Sequence, residues 1–154
     1  MKHRLVLVNP ANPVRTGLTV NKSSRFPPLG LGIVAALTPE HWDVELVDEN
    51  WEPFAYHDAD PSTGSGQTLV GITAFTASAS RAYEIAATYR KRGVPVVMGG
   101  IHASTCTEEA LRFADAVVVG EAETAWPQVV ADVEAGQLRQ VYRGEWGVLA
   151  GLPR

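Results

Sequence analysis

Two short stretches carry the residue types able to do chemistry. They are Gly99-Gly100-Ile101-His102-Ala103, with Cys106 close behind, and Gly120-Glu121-Ala122-Glu123. An imidazole four residues before a thiol shares a face with it on a helix, the spacing of a nucleophile pair. No third orienting group is evident, and no second histidine or acid stands at ligand spacing, so no metal site is expected. Glu121 and Glu123 suit either a polar ligand or the first turn of a helix, where the dipole favours acids. The glycines serve a different end: backbone stripped of side chains lets a ligand come close to N–H and C=O groups.

Strands must position these tips. Val94 to Met98 and Ala116 to Val119 are β-branched apolar runs, the pattern of parallel strands buried on both faces. Leu5 to Asn9, Val44 to Val47 and Leu69 to Thr73 read the same way. The second ends in Asp48-Glu49-Asn50, and the third in Thr73-Ala74-Phe75-Thr76, with hydroxyls and little bulk. Between them, residues 27 to 37 read as a helix that Pro39 stops. Ala79 to Arg92 is a clearer one, with Ala82, Ile85, Ala86 and Tyr89 on one face and Gly93 at its end. A helix opens at Thr107, and another runs from Thr124 to Ala135. Gln140 to Tyr142 adds a short edge strand. Such alternation predicts an α/β fold: a flavodoxin-like (Rossmann-like), doubly wound parallel sheet of about five strands, order 2-1-3-4-5, with right-handed crossovers. Ligands of such sheets bind at the carboxyl ends of the strands.

Composition narrows the partners. A net charge of -4 gives no basic footprint, so neither nucleic acid nor an anionic membrane is expected. The apolar run after Met1-Lys2-His3-Arg4 stops at Asn9-Pro10, too short for a secretory signal, which points to the cytoplasm. Cys106 is the only cysteine, which excludes an intrachain disulfide and any Cys-x-x-Cys site. Gly30, Gly32 and Ala35 imitate a dinucleotide fingerprint with Asp48 as its acid. That loop must follow the first strand directly, however, and here it lies about twenty residues too late.

Taken in order, Pro27-Pro28-Leu29-Gly30-Leu31, Val70-Gly71-Ile72-Thr73, Met98-Gly99-Gly100-Ile101-His102-Ala103 and Val119-Gly120-Glu121-Ala122-Glu123 resemble a known domain. It is the N-terminal cobalamin (B12)-binding domain of cobalamin-dependent radical SAM enzymes, the group of anaerobic magnesium-protoporphyrin monomethyl ester cyclase and many methyltransferases. The likeness covers residues 3 to 143. It implies a corrin lying on three tips: Thr73, Ala74, Phe75 and Thr76; Gly99, Gly100, Ile101, His102 and Ala103; and Gly120, Glu121 and Glu123. Asn9, Pro10, Gly30 and Leu31 would approach the cofactor, its nucleotide tail would enter between strands one and three, and His102 would touch the corrin periphery.

Mutase-type relatives of such domains carry Asp-x-His-x-x-Gly after strand one, supplying a histidine to cobalt. Here residues 9–17 read Asn-Pro-Ala-Asn-Pro-Val-Arg-Thr-Gly, so the resemblance implies base-off cobalamin without that ligand. The family's radical chemistry uses S-adenosylmethionine and a [4Fe-4S] cluster held by three cysteines, which a single cysteine cannot supply. Residues 1–143 are thus expected to be the cobalamin-binding domain. Residues 144–154 would be a linker toward a radical SAM domain in cis, and no catalytic residue is expected in this chain. Two other readings stay open: a receiver-type signalling domain using Asp48-Glu49, and a small Rossmann-like enzyme using His102, Cys106 or Glu121.

Overall fold

The computed structural model describes residues 2–11, 27–52, 54–56 and 66–145. Most of the loop after strand one, the Ser62-to-Gln67 loop up to residue 65, and Trp146, Leu149 and Leu152 of the expected linker lie outside the described residues.

Six strands form one parallel sheet: β1 (His3–Asn9), β2 (Trp42–Asp48), β3 (Thr68–Thr73), β4 (Val96–Gly99), β5 (Ala116–Val119) and β6 (Val141–Arg143). Their order is β2-β1-β3-β4-β5-β6, the flavodoxin-like order with one strand added. The expected edge strand is therefore real and makes a sixth, parallel to β5. Helices α1 (Leu29–Leu37), α2 (Ala79–Lys91), α3 (Gly100–Thr105), α4 (Thr107–Ala110) and α5 (Ala122–Glu134) cover the sheet, with a 3-10 turn over Thr76–Ser78 leading into α2.

Side-chain alternation along the strands divides the core in two. Val6, Val8, Val70, Ile72, Val96 and Met98 pack against α2, α3 and α4. Leu5, Leu7, Leu69, Val97, Ala116 and Val118 pack against α1 and α5. This partition corrects one expectation. Strands β4, β5 and β6 step in one direction, yet α5 lies on the opposite face from α2–α4. The β5–α5–β6 crossover therefore has the opposite hand to those before it. The short β6 is held there by its own contacts: Tyr142 Oη donates to Asp132 Oδ2 of α5 at 2.8 Å, and Gly144 N donates to Val119 O at 2.9 Å.

The strand tips are tied together near α2. Glu49 accepts Arg81 Nε at 2.9 Å, Arg81 Nη2 at 2.6 Å and the Ala11 N–H at 2.9 Å. These hydrogen bonds, with Glu49 foremost, make the Arg81 guanidinium hold its proton more tightly than a free one.

Candidate functional site

At the carboxyl edge, a cleft of about 230 Å³ opens between the sheet and the helices α1 and α5. Its floor follows from the period of two along the strands. Leu7 stands beside Gly71, and Gly71 beside Val97, with side chains directed at the α1/α5 face. Leu31 and Val34 of α1 wall one side, and Ala122 and Trp126 of α5 the other.

Gly71 is what keeps the floor open. A Cβ there would stand 2.8 Å from Leu7 Cδ2 and 3.8 Å from Trp126 Cη2. A glycine inside an otherwise apolar strand marks this kind of close approach. The Trp126 indole donates to Thr38 Oγ1 at 2.9 Å, which fixes α5 to the end of α1 and sets the ring across the cleft.

Gly99, Gly100, Thr73, Gly120, Glu121 and Glu123 surround the mouth. The turn from β4 into α3 is drawn tightly onto β3: Ala74 N donates to Gly99 O and His102 N to Ala74 O, both at 3.0 Å. Gly100 makes this possible, with φ of +92° and a Cβ position only 2.7 Å from Thr73 Oγ1 and 2.9 Å from Ala74 N and O. Gly120 N donates to Ser104 Oγ at 3.0 Å, joining the β5 tip to α3.

Of the residues singled out from the sequence, Gly30, Leu31, Thr73, Gly99, Gly100, Gly120, Glu121 and Glu123 line this cleft. The others stand apart from it. Asn9 Nδ2 donates to Asp48 Oδ1 at 3.0 Å, and Pro10 is buried. Ala74 and Ala103 are core residues. Phe75 (59 % exposed) and Ile101 (64 % exposed) stand out from the same edge, as does Thr76. Leu29 and Trp51 are exposed there too, so four of the large apolar side chains left open to solvent border the carboxyl edge. Sequence reading missed Leu7, Val34, Gly71, Ile72, Val97, Val118, Ala122 and Trp126 as site residues. The alternation of the strands and the mid-strand glycine were the available signals.

His102 lies on the other face of the sheet from the cleft. It is 4 % exposed, with Nε2 2.8 Å from Tyr83 Oη and Nδ1 3.2 Å from Thr76 Oγ1. Tyr83 Oη donates to Glu109 Oε1 at 2.9 Å, and burial together with that carboxylate pushes the phenol's pKa well up. Both ring nitrogens are thus engaged, with Tyr83 and Thr76 rather than with the Cys106 thiol. The expectation that no second histidine or acid comes within ligand distance does not hold. Folding brings Glu109 to 3.5 Å from His102 Nε2, with Cys106 near both. It also brings His3, His41 and Glu134 together at the amino edge, where His41 Nε2 and Glu134 Oε1 are 2.7 Å apart. The acidic pair after β2 is likewise consumed: Asp48 holds Asn9 and Asn50, and Glu49 holds Arg81.

Among known proteins, the B12 binding domain family matches residues 15–130. Bacteriochlorophyllide d C-8(2)-methyltransferase of Chlorobaculum tepidum is 43 % identical over 114 residues, covering 74 % of this chain and 24 % of that protein. Bacteriochlorophyllide d C-12(1)-methyltransferase of the same organism is 31 % identical, covering 92 % of this chain and 30 % of that protein. An uncharacterized methyltransferase of Pyrococcus horikoshii is also 31 % identical, over 87 % of this chain and 30 % of its own length. The chain therefore spans less than a third of the curated relatives it matches.

Proposed function

The chain belongs to the B12-binding domain family, and from that premise we propose that it holds base-off cobalamin across the carboxyl edge of its sheet. In this reading it is the cofactor-carrying part of a longer methyltransferase of the radical SAM type. The cleft beside Gly71 carries the reading. It is a half-open, mainly apolar slot at the edge where α/β sheets bind ligands, and a single Cβ would intrude on it.

The residues present fit such a cofactor. The slot would accept the nucleotide tail, and the edge around Thr73, Gly99, Gly100 and Gly120 would carry the corrin, with the exposed Phe75 and Ile101 side chains beside it. When bound, cobalamin supplies a cobalt ion that can exchange an alkyl group. The chain itself binds, orients and shields. Among the described residues no histidine faces the cleft: His102 is buried on the far face, and His3 and His41 stand at the amino edge. That arrangement supports base-off binding without a protein nitrogen below the cobalt.

Methyl transfer is proposed because the relatives are named methyltransferases. S-adenosylmethionine and a [4Fe-4S] cluster would be handled by a radical SAM domain in cis, since Cys106 alone cannot hold a three-thiolate cluster. A cytoplasmic location belongs to the same proposal; no helix among the described residues is long and apolar enough to cross a membrane.

Gly30→Phe tests the site. Gly30 lines the cleft, yet nothing lies within 4 Å of where its Cβ would stand. A ring there closes the mouth without disturbing the core. The expected result is a normally folded protein whose cobalamin affinity falls by at least tenfold. Unchanged affinity would contradict the placement.

A further inference from the structure

We propose that this cleft selects the lower base of the corrinoid, favouring a benzimidazole over a purine. The inference rests on cobalamin binding with its tail in the cleft. What carries it is the distribution of polar groups within the slot. The floor and walls are Leu7, Val34, Gly71, Val97, Val118 and Trp126. The one side-chain N–H among them, Trp126 Nε1, is already donated to Thr38 Oγ1. Strand backbone at this level is paired within the β1–β3–β4 ladder, where Leu7 is registered with Gly71 and Gly71 with Val97. The polar side chains, Thr73, Glu121 and Glu123, belong to the strand tips and the start of α5, at the mouth.

A base that reaches the floor therefore finds shape and apolar contact, with no side-chain donor or acceptor among the described residues left to meet it. Dimethylbenzimidazole loses less there, because it brings one free ring nitrogen, released from cobalt, and the rest of its edge is carbon and methyl. Adenine brings an exocyclic amine and further ring nitrogens, which leave water and find no partner. An unpaired buried polar group costs enough to weaken binding by on the order of tenfold or more. Val97 and Val118 are the positions that set this preference, since a hydroxyl at either would put a partner on the floor at nearly the same volume.

The test is equilibrium binding of three corrinoids: hydroxocobalamin, its adenine-based counterpart adeninylcobamide, and cobinamide, which lacks the nucleotide altogether. The expected result is cobalamin at least tenfold tighter than adeninylcobamide, with cobinamide also weaker than cobalamin. In Val97→Thr or Val118→Thr, whichever remains folded by circular dichroism, the preference narrows. Adeninylcobamide binding as tightly as cobalamin, or tighter, while cobinamide stays weak overturns the selection but leaves the tail in the cleft. Equal binding of all three overturns the selection and the tail placement, while cofactor binding stands. Retention of none overturns the selection and the proposed function together. A preference that does not change in a folded threonine variant also overturns the role assigned to the floor.

Discussion

Gly100 brings the β4 tip tightly against the end of β3. A methyl at this position would press on Thr73 Oγ1 at 2.7 Å and on the Ala74 peptide at 2.9 Å, in a left-handed conformation with φ of +92°. Strain of that kind costs about 1–3 kcal/mol, so Gly100→Ala should lower the urea midpoint and melting temperature measurably. Gly32 offers the converse. Nothing stands within 4 Å of its Cβ position, it lies inside α1, and it is not among the residues lining the cleft. Gly32→Ala should stabilise by about 0.5–1 kcal/mol and leave cobalamin affinity unchanged. His102→Ala should behave differently again. It empties a buried site and removes a hydrogen-bond partner from Tyr83 and Thr76, and is expected to cost about 1–3 kcal/mol in a denaturant melt, while the spectrum of bound cobalamin stays as in the parent. These residues also show what the sequence could reveal. Gly99, Gly100 and Gly120 were legible because glycine after a β-branched run has few other uses. The far-face position of His102 was not, because it depends on the backbone turn at Gly100 that swings α3 away from the cleft.

Among elements, the knots at the two sheet edges are the parts open to test. At the carboxyl edge, Glu49 joins the loop after β1 to the first turns of α2 through Ala11 and Arg81. The carboxylate is mostly buried, so Glu49→Ala leaves the guanidinium only the exposed Glu84 and takes the acceptor from the Ala11 N–H, and should destabilise by about 1–3 kcal/mol. At the amino edge, Trp42 Nε1 and His41 Nε2 both meet Glu134 Oε1 of α5, and these bonds hold its pKa below the usual glutamate range. A carboxyl depressed on folding contributes stability that is complete above its unfolded pKa and lost as the pH falls through the folded one. Glu134→Gln should accordingly flatten the acid limb of the stability–pH profile below the ordinary glutamate pKa, measured by melts at low pH. The strands and α2 were legible from period and β-branching alone. α3 was not, because six residues beginning Gly100-Ile101-His102 carry no helical period, and packing against β5 determines it. The hand of the last crossover was equally hidden. It is set by the apolar face of α5, with Ala125, Trp126, Val129 and Val133, docking beside α1.

On the scale of the whole molecule, the large apolar side chains left exposed among the described residues stand mostly along one edge, beside the cleft mouth, and the opposite edge is tied by hydrogen bonds to Glu134. A protein built this way gains stability from whatever covers that edge. Ligand at a hundred times its dissociation constant adds about 2.7 kcal/mol to a protein that binds it only when folded. The melting temperature should therefore rise with cobalamin concentration in the parent chain, and Gly30→Phe should need at least tenfold more cobalamin for the same rise. The most direct single measurement is the visible spectrum of the chain after anaerobic incubation with hydroxocobalamin or methylcobalamin and desalting. Near-stoichiometric cobalamin with a base-off spectrum, absent from Gly30→Phe, is the predicted result. A protein that emerges colourless, or retains cobalamin with its base still on cobalt, would contradict the tail-in-cleft account.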